Sequence, residues 1–436
     1  MKNKKLLFLI ITLTFSMFLA ACGGSGEDTS DTSESNGDSN EDQVSIEIFQ
    51  GKVEFKDQFE NLVALYEEEN PNVSITIDTV GGGTDYDPLL KTAFNSGDAP
   101  DIFNIAGPQG VVDYNDYLTD LSDTEASKAA LEGTLTTVTD GDEILGLPFN
   151  QEGYGIIYNK RIFEEAGIDA SEILTYEDLE SAVQTIAEMK DDLGLEGVFA
   201  LPGKEGWVMG DHAANTFLAP EFNHDVMEAF ESETVEFEKG DEFKRYLDLQ
   251  AEYSVGPVLS LDYSQQVEEY FSLERVAMIQ QGNWVYPSIE QMEEQVAQNI
   301  GILPIPVEGL EGHIPVGVPN YWAVNNQGSD EEIQAAKDFL DWMYTSEAGK
   351  QSVLEDFKFI PAYEGYDTDL IVDPLSQEIY EYAEAGNTIG WVFAGYPGNM
   401  WGQDELGSNL QRYLADDATW EEALDASIAN WEEQRQ

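Results

Sequence analysis

Several tryptophans of this chain lie in loop-like segments rich in glycine. Trp207 lies in LPGKEGWVMGD, Trp284 in QGNWVYP, and Trp391 and Trp401 bracket WVFAGYPGNMWGQD. An indole offers a flat apolar face and one N–H donor, which suits a ligand that has both weakly apolar faces and hydroxyl groups. Packing inside the protein is an equal alternative for any one of them. Trp342, in the helical segment DFLDWMY, is predicted to be a core residue.

Motifs of catalytic chemistry are missing from the sequence. There is no Gly-x-Ser-x-Gly elbow, no His-Glu-x-x-His and no P-loop, and no Asp-rich calcium loop. The one cysteine excludes internal disulfides and Cys-based zinc sites, and the three histidines are too scattered to form a motif. Carboxylates are so abundant that two could meet in a cleft by chance, so a glycosidase pair is not excluded by counting.

Composition limits the partners. The 436 residues include 20 Lys+Arg against 86 Asp+Glu, a formal charge of -66. Nucleic acid is a poor partner because phosphate binding requires clustered cations, and anionic ligands are disfavoured. The acidity indicates either solubility in salty or alkaline surroundings or recruitment of cations. The length predicts two lobes more readily than one core.

The N-terminus is predicted to be a secretory leader, residues 1–21. A basic start precedes an apolar run, Leu6–Ala20, that is too short for a membrane span. The ending Leu-Ala-Ala-Cys resembles a bacterial lipobox, which implies that Cys22 receives a diacylglyceryl group after cleavage and anchors the protein. The alternative is an ordinary signal peptide that is cut after Ala21, with Cys22 incidental.

A polar tether is predicted at residues 22–43. The segment from Gly23 to Asp42 contains no residue that could be buried, so it is expected to be disordered and extended by its own charges. No other stretch of the sequence resembles a membrane segment.

Apolar periodicity begins at Val44. Val44–Ile48 and Val73–Ile77 alternate as strands do, and Asp101–Ile105 reads as a third strand. Apolar residues recur at helical spacing over Phe55–Tyr66, and Asp85–Phe94 reads as a second helix. This βαβαβ order predicts a parallel sheet covered by helices.

Ligands of such sheets lie beyond the carboxyl ends of the strands. Those ends are Phe49–Lys52, Gly81–Gly83 and Gly107–Gln109. The triple glycine is predicted to be a flexible turn, because the Gly-Lys-Ser/Thr that a phosphate loop requires does not follow it.

A family resemblance rests on several segments in order. These are YEEENPNVSITID, NSGDAPDIFNI, GLPFNQEGYGIIYNKRIFEEAGI, TYEDLESAVQTIAE, ERVAMIQQGNWV, AAKDFLDWMYTSEAGKQ and TWEEALDASIANWEEQ. Together they resemble the bacterial extracellular solute-binding proteins of family 1, which supply sugar ABC importers and include the maltose-binding group. The resemblance runs from about Val44 to the C-terminus.

The resemblance implies an α/β fold of the type II periplasmic-binding-protein kind, with two lobes and a hinge between them. Each lobe is expected to be a mostly parallel sheet flanked by helices. The N-terminal lobe would comprise residues 44–150 and 319–362, and the C-terminal lobe residues 151–318 and 363–436. Proline and glycine crowd both crossovers, near residues 150–153 and 312–320, as suits a hinge, although each is also ordinary in loops.

The resemblance also implies a set of ligand contacts. They come from the strand ends, the crossovers and the aromatic loops: Lys52, Glu54, Gln109, Gln151, Glu152, Glu205, Trp207, Trp284, Asn320, Trp391, Tyr396 and Trp401. The chain departs from the maltose-binding group at residues 107–109, where Gly-Pro-Gln replaces an Asp-Arg contact. This difference argues against maltose itself as the ligand and leaves the identity of the sugar or oligosaccharide open.

These observations predict a lipid-anchored, monomeric sugar-binding protein on the outer face of the cell membrane. Its expected partners are a sugar and the permease subunits of an ABC importer, and we expect no cofactor, metal or nucleic acid. Tethering favours a Gram-positive source. The alternatives are a cell-surface glycosidase, a sugar-presenting receptor or adhesion protein, and a binding protein for polyamines or metals.

Overall fold

The computed structural model describes residues 43–80, 86–398 and 400–436. The predicted signal peptide, Cys22 and the triple glycine lie outside these residues, as does the predicted tether apart from Gln43. Within the described residues, no helix has both the length and the hydropathy that crossing a membrane requires.

The described residues form both strands and helices. The strands are β1 Val44–Gln50, β2 Val73–Thr79, β3 Ile102–Ile105, β4 Thr139–Asp140, β5 Glu143–Ile144, β6 Leu147–Pro148, β7 Glu152–Asn159, β8 Met278–Gly282, β9 Ile300–Leu303, β10 Ile314–Gly317, β11 Tyr321–Val324 and β12 Thr388–Ile389. The helices are α1 Lys56–Glu69, α2 Tyr86–Ser96, α3 Gly107–Tyr114, α4 Glu125–Ala129, α5 Lys160–Ala166, α6 Tyr176–Glu188, α7 Lys190–Leu193, α8 Ala214–Leu218, α9 Val226–Glu231, α10 Gly240–Glu252, α11 Tyr286–Met292, α12 Glu294–Ala297, α13 Asp330–Thr345, α14 Glu347–Glu355, α15 Pro374–Glu384, α16 Gly407–Leu414 and α17 Trp420–Gln434.

The first lobe is built on the sheet β2-β1-β3-β11-β6. Strand β1 pairs in parallel with β2 and β3, as the βαβαβ pattern predicts. Helix α1 covers this sheet because Phe59, Leu62, Val63 and Tyr66 recur on one face and are buried there. These side chains share a core with the helix α13 residues Phe339 and Met343 and others.

The second lobe is built on the sheet β12-β10-β7-β8, with β9 also paired to β7. Strand β7 is buried along its whole length, which its apolar run Tyr154–Tyr158 requires. The two-lobed α/β fold is confirmed, and in this sheet β8, β9, β10 and β12 run in one direction while β7 alone is reversed. Strand β7 is antiparallel to β8, β9 and β10, and the parallel pair is β10 with β12. The reason is that separate chain segments enter this sheet from opposite ends.

The chain passes between the two sheets at neighbouring places. It leaves the first sheet after β6 and enters the second at β7. It returns between β10, which pairs with β7, and β11, which pairs with β3. A third passage follows Tyr363, which packs in the first core, and precedes Leu375, which packs in the second. Residues at these passages therefore lie where the two lobes meet.

Candidate ligand-binding groove

Lys52 is held at the carboxyl end of β1, where the first lobe faces the second. The backbone N–H of Lys52 donates to Oε1 of Gln50 at 2.6 Å, and the N–H of Gly51 donates to Oδ1 of Asn104 at 3.3 Å. Both amide side chains are buried. Two buried side chains thus fix the turn from which the Lys52 side chain extends.

The Lys52 ammonium forms an ion pair with Glu152, the first residue of β7. Its Nζ lies 2.6 Å and 2.9 Å from the two carboxylate oxygens, and Nδ2 of Asn150 adds a hydrogen bond of 3.4 Å to one of them. The side chains are 16% and 3% exposed, so neither charge is well hydrated and each requires the other. The pair joins the first lobe to the entry of the second, and the two charges neutralise each other.

A second contact between the lobes involves Glu54 and Tyr263. The Tyr263 hydroxyl donates to Oε1 of Glu54 at 3.4 Å. Burial raises the pKa of Glu54 against the opposing effect of the Lys52 cation, and burial together with Glu54 raises the pKa of the Tyr263 phenol. Glu205 positions this contact, because its carboxylate accepts the backbone N–H of Tyr263 at 3.2 Å.

Beside these polar groups, the second lobe forms an aromatic chamber around His212. The His212 ring stacks on that of Tyr154, with centroids 4.5 Å apart and planes 14° from parallel. The other four rings of the chamber have centroids 5.0 to 6.0 Å from the His212 ring and belong to Trp207, Trp284, Trp391 and Phe393. Trp207, His212 and Phe393 are partly exposed. The chamber contacts the first lobe through Lys52, whose Nζ lies 5.8 Å from the centre of the Trp284 ring.

Two glycines at strand ends leave the space that the indole rings of Trp284 and Trp391 occupy. A Cβ atom at Gly282 would lie 2.1 Å from Cζ3 of Trp284, and one at Gly317 would lie 2.5 Å from Cγ of Trp391. Each ring therefore lies directly against a strand backbone, which a larger residue would prevent. Asn283 fixes the turn between β8 and Trp284: its Oδ1 accepts from the N–H of Gly153 and its Nδ2 donates to Oγ of Ser376.

His212 is a groove residue that the sequence analysis missed. It lies in the π-helical turn Val208–Ala213, which follows the loop that carries Trp207. Burial, and secondarily the Lys52 cation, lowers the pKa of its imidazole to about 3. The ring is therefore neutral at physiological pH, with one nitrogen as a donor and the other as an acceptor. No spacing of the three histidines predicts this role, because four of its five ring neighbours come from distant segments.

The groove brings together most of the predicted contacts and separates the rest. Lys52, Glu54, Glu152, Glu205, Trp207, Trp284 and Trp391 belong to the ion pair, the interlobe contact or the chamber described above. Three others have different surroundings. The Gln109 amide donates to Asp113 along helix α3, and the Gln151 amide donates to the carbonyl of Pro361. Asn320 is partly buried, and its carbonyl accepts from the N–H of Phe149.

Tyr396 and Trp401 lie in the core of the second lobe. Both are 0% exposed, and Trp401 packs edge-to-face on Trp431 with centroids 4.8 Å apart. Its indole N–H donates to the carbonyl of Ser427 on helix α17. The turn Trp401–Leu406 packs beneath α17, and this packing leaves neither ring a face for a ligand. We therefore leave both out of the candidate site.

The polar groups of the groove are arranged for hydrogen bonding to a neutral ligand. Among the described residues, no group of three or more His, Cys, Asp or Glu side chains is placed to hold a metal ion. The carboxylates of Glu152 and Glu205 already accept hydrogen bonds from the protein. The groove thus combines apolar ring faces with donors and acceptors from both lobes.

Known proteins resemble this chain over most of its length. The family model "Bacterial extracellular solute-binding protein" matches residues 52–350. The multiple sugar-binding protein of Streptococcus mutans is 25% identical over 370 residues, which are 79% of each chain. The melibiose/raffinose/stachyose-binding protein MelE of Bacillus subtilis is 24% identical over 378 residues, 83% of this chain and 82% of MelE.

Solved structures resemble the fold. A chitin oligosaccharide binding protein superposes with a TM-score of 0.75 and 23% identity, over 90% of this chain and 99% of that one. The solute-binding protein RafE, solved with raffinose, gives a TM-score of 0.73 and 19% identity, over 90% of this chain and 100% of RafE. The sequence match spans both lobes and includes Lys52, Glu152, His212 and Trp284. The chain belongs to the bacterial extracellular solute-binding protein family.

Proposed function

We propose that this protein binds a neutral sugar or oligosaccharide between its two lobes and delivers it to a membrane ABC importer. The observation that carries the proposal is the meeting of the aromatic chamber with Lys52 and Glu54 of the other lobe. Sugar rings have weakly apolar C–H faces that stack on aromatic rings, and hydroxyls that require donors and acceptors. The two sequence relatives named above, which bind sugars by name, support the same class of ligand.

Contacts from both lobes give the ligand a means to stabilise their closure. A ligand shifts a conformational equilibrium only by its difference in affinity for the two states. A sugar that touches the chamber and Lys52 together would favour the form in which the lobes meet. Permease subunits that recognise this form would then receive only the loaded protein.

A thermal-shift screen tests the ligand class. The panel contains melibiose, raffinose, stachyose, and oligosaccharides of chitin and xylan, with spermidine, Zn²⁺ and Mn²⁺ as the competing classes. A ligand that binds only the folded protein raises its melting temperature. At a ligand concentration of one hundred times Kd, the free energy of unfolding increases by about 2.7 kcal/mol. We expect at least one sugar to do so. A shift with spermidine or a metal and with no sugar would contradict the proposal.

A matched pair of variants places the binding in the groove. Trp207→Ala removes a partly exposed chamber ring and should abolish the sugar-induced shift at a concentration that saturates the parent. Trp342→Ala is the control, because Trp342 is also partly buried but lies on α13 of the first lobe, where its indole donates to Glu69. Equal loss in both variants would contradict the assignment of the groove.

The same mixtures distinguish binding from hydrolysis. A binding protein leaves the oligosaccharides intact, whereas a glycosidase generates new reducing ends. We expect no reducing ends above those of protein-free controls after prolonged incubation. Release that depends on Glu54 or Glu152 would instead support the glycosidase alternative.

We further propose that Cys22 carries a lipid that holds the protein on the outer face of the membrane. The apolar run that ends in Leu-Ala-Ala-Cys supports this, and a diacylglyceryl group supplies the two chains that stable anchoring requires. Cys22→Ala should move the protein from the membrane fraction to the medium. Retention of the variant in the membrane fraction would contradict the anchor without affecting the sugar proposal.

A further inference from the structure

The His212 side chain is surrounded by rings and makes no hydrogen bond to a described residue. Its backbone carbonyl accepts a hydrogen bond from the Thr216 hydroxyl at 3.4 Å, but this contact does not involve the ring. Its ring stacks on Tyr154 at 4.5 Å, and Trp284 and Trp207 lie 5.0 Å and 5.1 Å away. The imidazole is partly exposed, so its two ring nitrogens are open to a partner from outside the chain, while the surrounding aromatic faces offer none.

A second polar group of the chamber, which is more deeply buried, also makes no hydrogen bond to a described residue. Trp391 is 4% exposed, and its buried Nε1 has no hydrogen-bond partner among the described residues. Its ring lies 6.0 Å from that of His212. By contrast, Nε1 of Trp284 donates to Oε1 of Gln281 at 3.0 Å. A buried N–H without a partner costs about 1–3 kcal/mol, so the Trp391 indole, beside a partly exposed imidazole that bonds to no described residue, points to a partner from outside the chain.

The protein holds His212 as an uncharged ring. Burial among the rings and the nearby Lys52 ammonium both disfavour protonation of the imidazole. A neutral imidazole donates from one nitrogen and accepts at the other, and a sugar hydroxyl, which can both donate and accept, can partner either nitrogen. The positively charged form could only donate and would repel Lys52.

We propose that His212 binds the sugar directly, exchanging hydrogen bonds with its hydroxyl groups from the centre of the aromatic chamber. The inference rests on the proposed function and identifies His212 as the residue that would recognise the arrangement of the sugar hydroxyls in the chamber. It assigns different tasks to the six rings: the surrounding five offer apolar faces, and the imidazole supplies the paired donor and acceptor. The competing explanation is that His212 acts only as a flat ring that fills the chamber.

Two substitutions separate these explanations. His212→Phe keeps a flat ring and removes both ring nitrogens, whereas His212→Gln loses the ring and keeps a donor and an acceptor near the position of Nε2. Calorimetry with raffinose and with N,N′-diacetylchitobiose gives the affinity of each variant for whichever probe the parent binds. We expect binding by His212→Phe to be at least about tenfold weaker and binding by His212→Gln to be closer to the parent. His313→Phe is the control and should bind as the parent does, because His313 is also partly buried but its Nδ1 lies beside the Glu311 carbonyl, outside the chamber.

Nitrogen NMR of the parent provides a test that does not depend on folding of a variant. Because the chain has three histidines, a histidine-labelled sample gives few signals, and His313→Phe and His224→Gln assign two of them. The probe that binds should move the two ring-nitrogen signals of His212 while those of His313 stay fixed.

The outcomes distinguish the two levels of the proposal. The direct contact would be overturned if His212→Phe binds the sugar with the affinity of the parent, or if the His212 nitrogen signals do not move when a sugar binds. The proposed function would still stand in either case. A parent protein that binds no sugar of the panel would overturn the proposed function, and the contact with it.

Discussion

Two tryptophan clusters of the second lobe have similar sequences and opposite environments. In the chamber, Trp284 lies 5.0 Å from the partly exposed His212 ring and 5.8 Å from the Lys52 ammonium of the other lobe. In the second cluster, which we call the core cluster, Trp401 contacts Tyr396 and Trp431 of its own lobe and is 0% exposed. Both tryptophans follow glycine- and asparagine-containing loops.

The difference is in the neighbours and not in the flanking residues. The core cluster satisfies its indole N–H with a backbone carbonyl, that of Ser427, and surrounds the ring on every side. The chamber leaves Nε1 of Trp391 without a partner among the described residues and places the Trp284 ring beside Lys52, a charged residue of the first lobe. An aromatic ring is thus a candidate binding surface when it faces residues of the other lobe and is not enclosed by its own.

The largest effect on stability is expected from the core cluster. Trp401→Ala removes a fully buried ring and its hydrogen bond and should lower the free energy of unfolding by about 3–5 kcal/mol. Urea denaturation measures this loss. The fraction that stays folded should still bind the sugar of the parent, because the ring does not face the groove. A selective loss of binding with parental stability would place Trp401 in the site after all.

The chamber should respond differently to the same type of truncation. Trp284→Ala should cost less stability, about 2 kcal/mol, because part of its surroundings is the groove, and should weaken sugar binding about 10- to 100-fold. Calorimetry and denaturation on one preparation separate the two quantities. If Trp284→Ala and Trp401→Ala lose stability and sugar binding in the same proportion, the proposed distinction between the chamber and the core cluster is wrong.

Asp373 is the buried N-cap residue of helix α15, and its ionisation should make the stability of the protein depend on pH. Its Oδ1 caps helix α15 by accepting from the N–H of Ser376, the residue whose hydroxyl contacts Asn283, and its Oδ2 is buried without a partner. Burial raises the pKa of Asp373 from 3.8 to about 6. Between these values the folded state binds more protons than the unfolded state, so this group's contribution to stability falls as pH rises from about 4 to 6.

Asp373→Asn keeps the cap and removes the charge. We expect the variant to be more stable than the parent by about 1–3 kcal/mol at pH 8, with the difference vanishing near pH 4. Urea denaturation at both pH values gives the difference. Asp225→Asn is the control, because Asp225 caps helix α9 from an exposed position. A gain at pH 8 that persists at pH 4 would show that the buried charge is not its cause.

The smallest effect is expected at the contact between the lobes. Tyr263→Phe removes one hydroxyl, whose bond to Glu54 is long at 3.4 Å, and should lower stability by no more than about 1 kcal/mol. Sugar affinity should fall a few-fold, because closure loses one interlobe contact. Tyr270→Phe is the control, since the Tyr270 hydroxyl makes no hydrogen bond to a described residue. Equal affinities in the two variants would exclude a role of this contact in closure.

Much of the fold could be predicted from local patterns. Alternation in β1 and β2 and the helical spacing of Phe59, Leu62 and Tyr66 predict the first lobe, because each period follows from backbone geometry. The antiparallel pairing of β7 could not be predicted, since the strand looks the same in either direction. Its neighbours β8, β9 and β10 come from more than one hundred residues away.

The candidate site divides in the same way. Loop chemistry and strand ends indicate Lys52, Glu152 and Trp284, but they also indicate Trp401, which the fold buries. His212 carries no local signal, because its role depends on five rings from four separate segments.

The sequence by itself determined the family, the two-lobed α/β class and the residue types available for a ligand, because these depend on periodicity and on motifs that are contiguous in the chain. The tertiary structure decided which rings face the groove, how Lys52 meets Glu152 one hundred residues later, and that a neutral His212 occupies the centre of the chamber. Burial, pairing and pKa depend on neighbours that long-range packing supplies, and no local pattern encodes those neighbours.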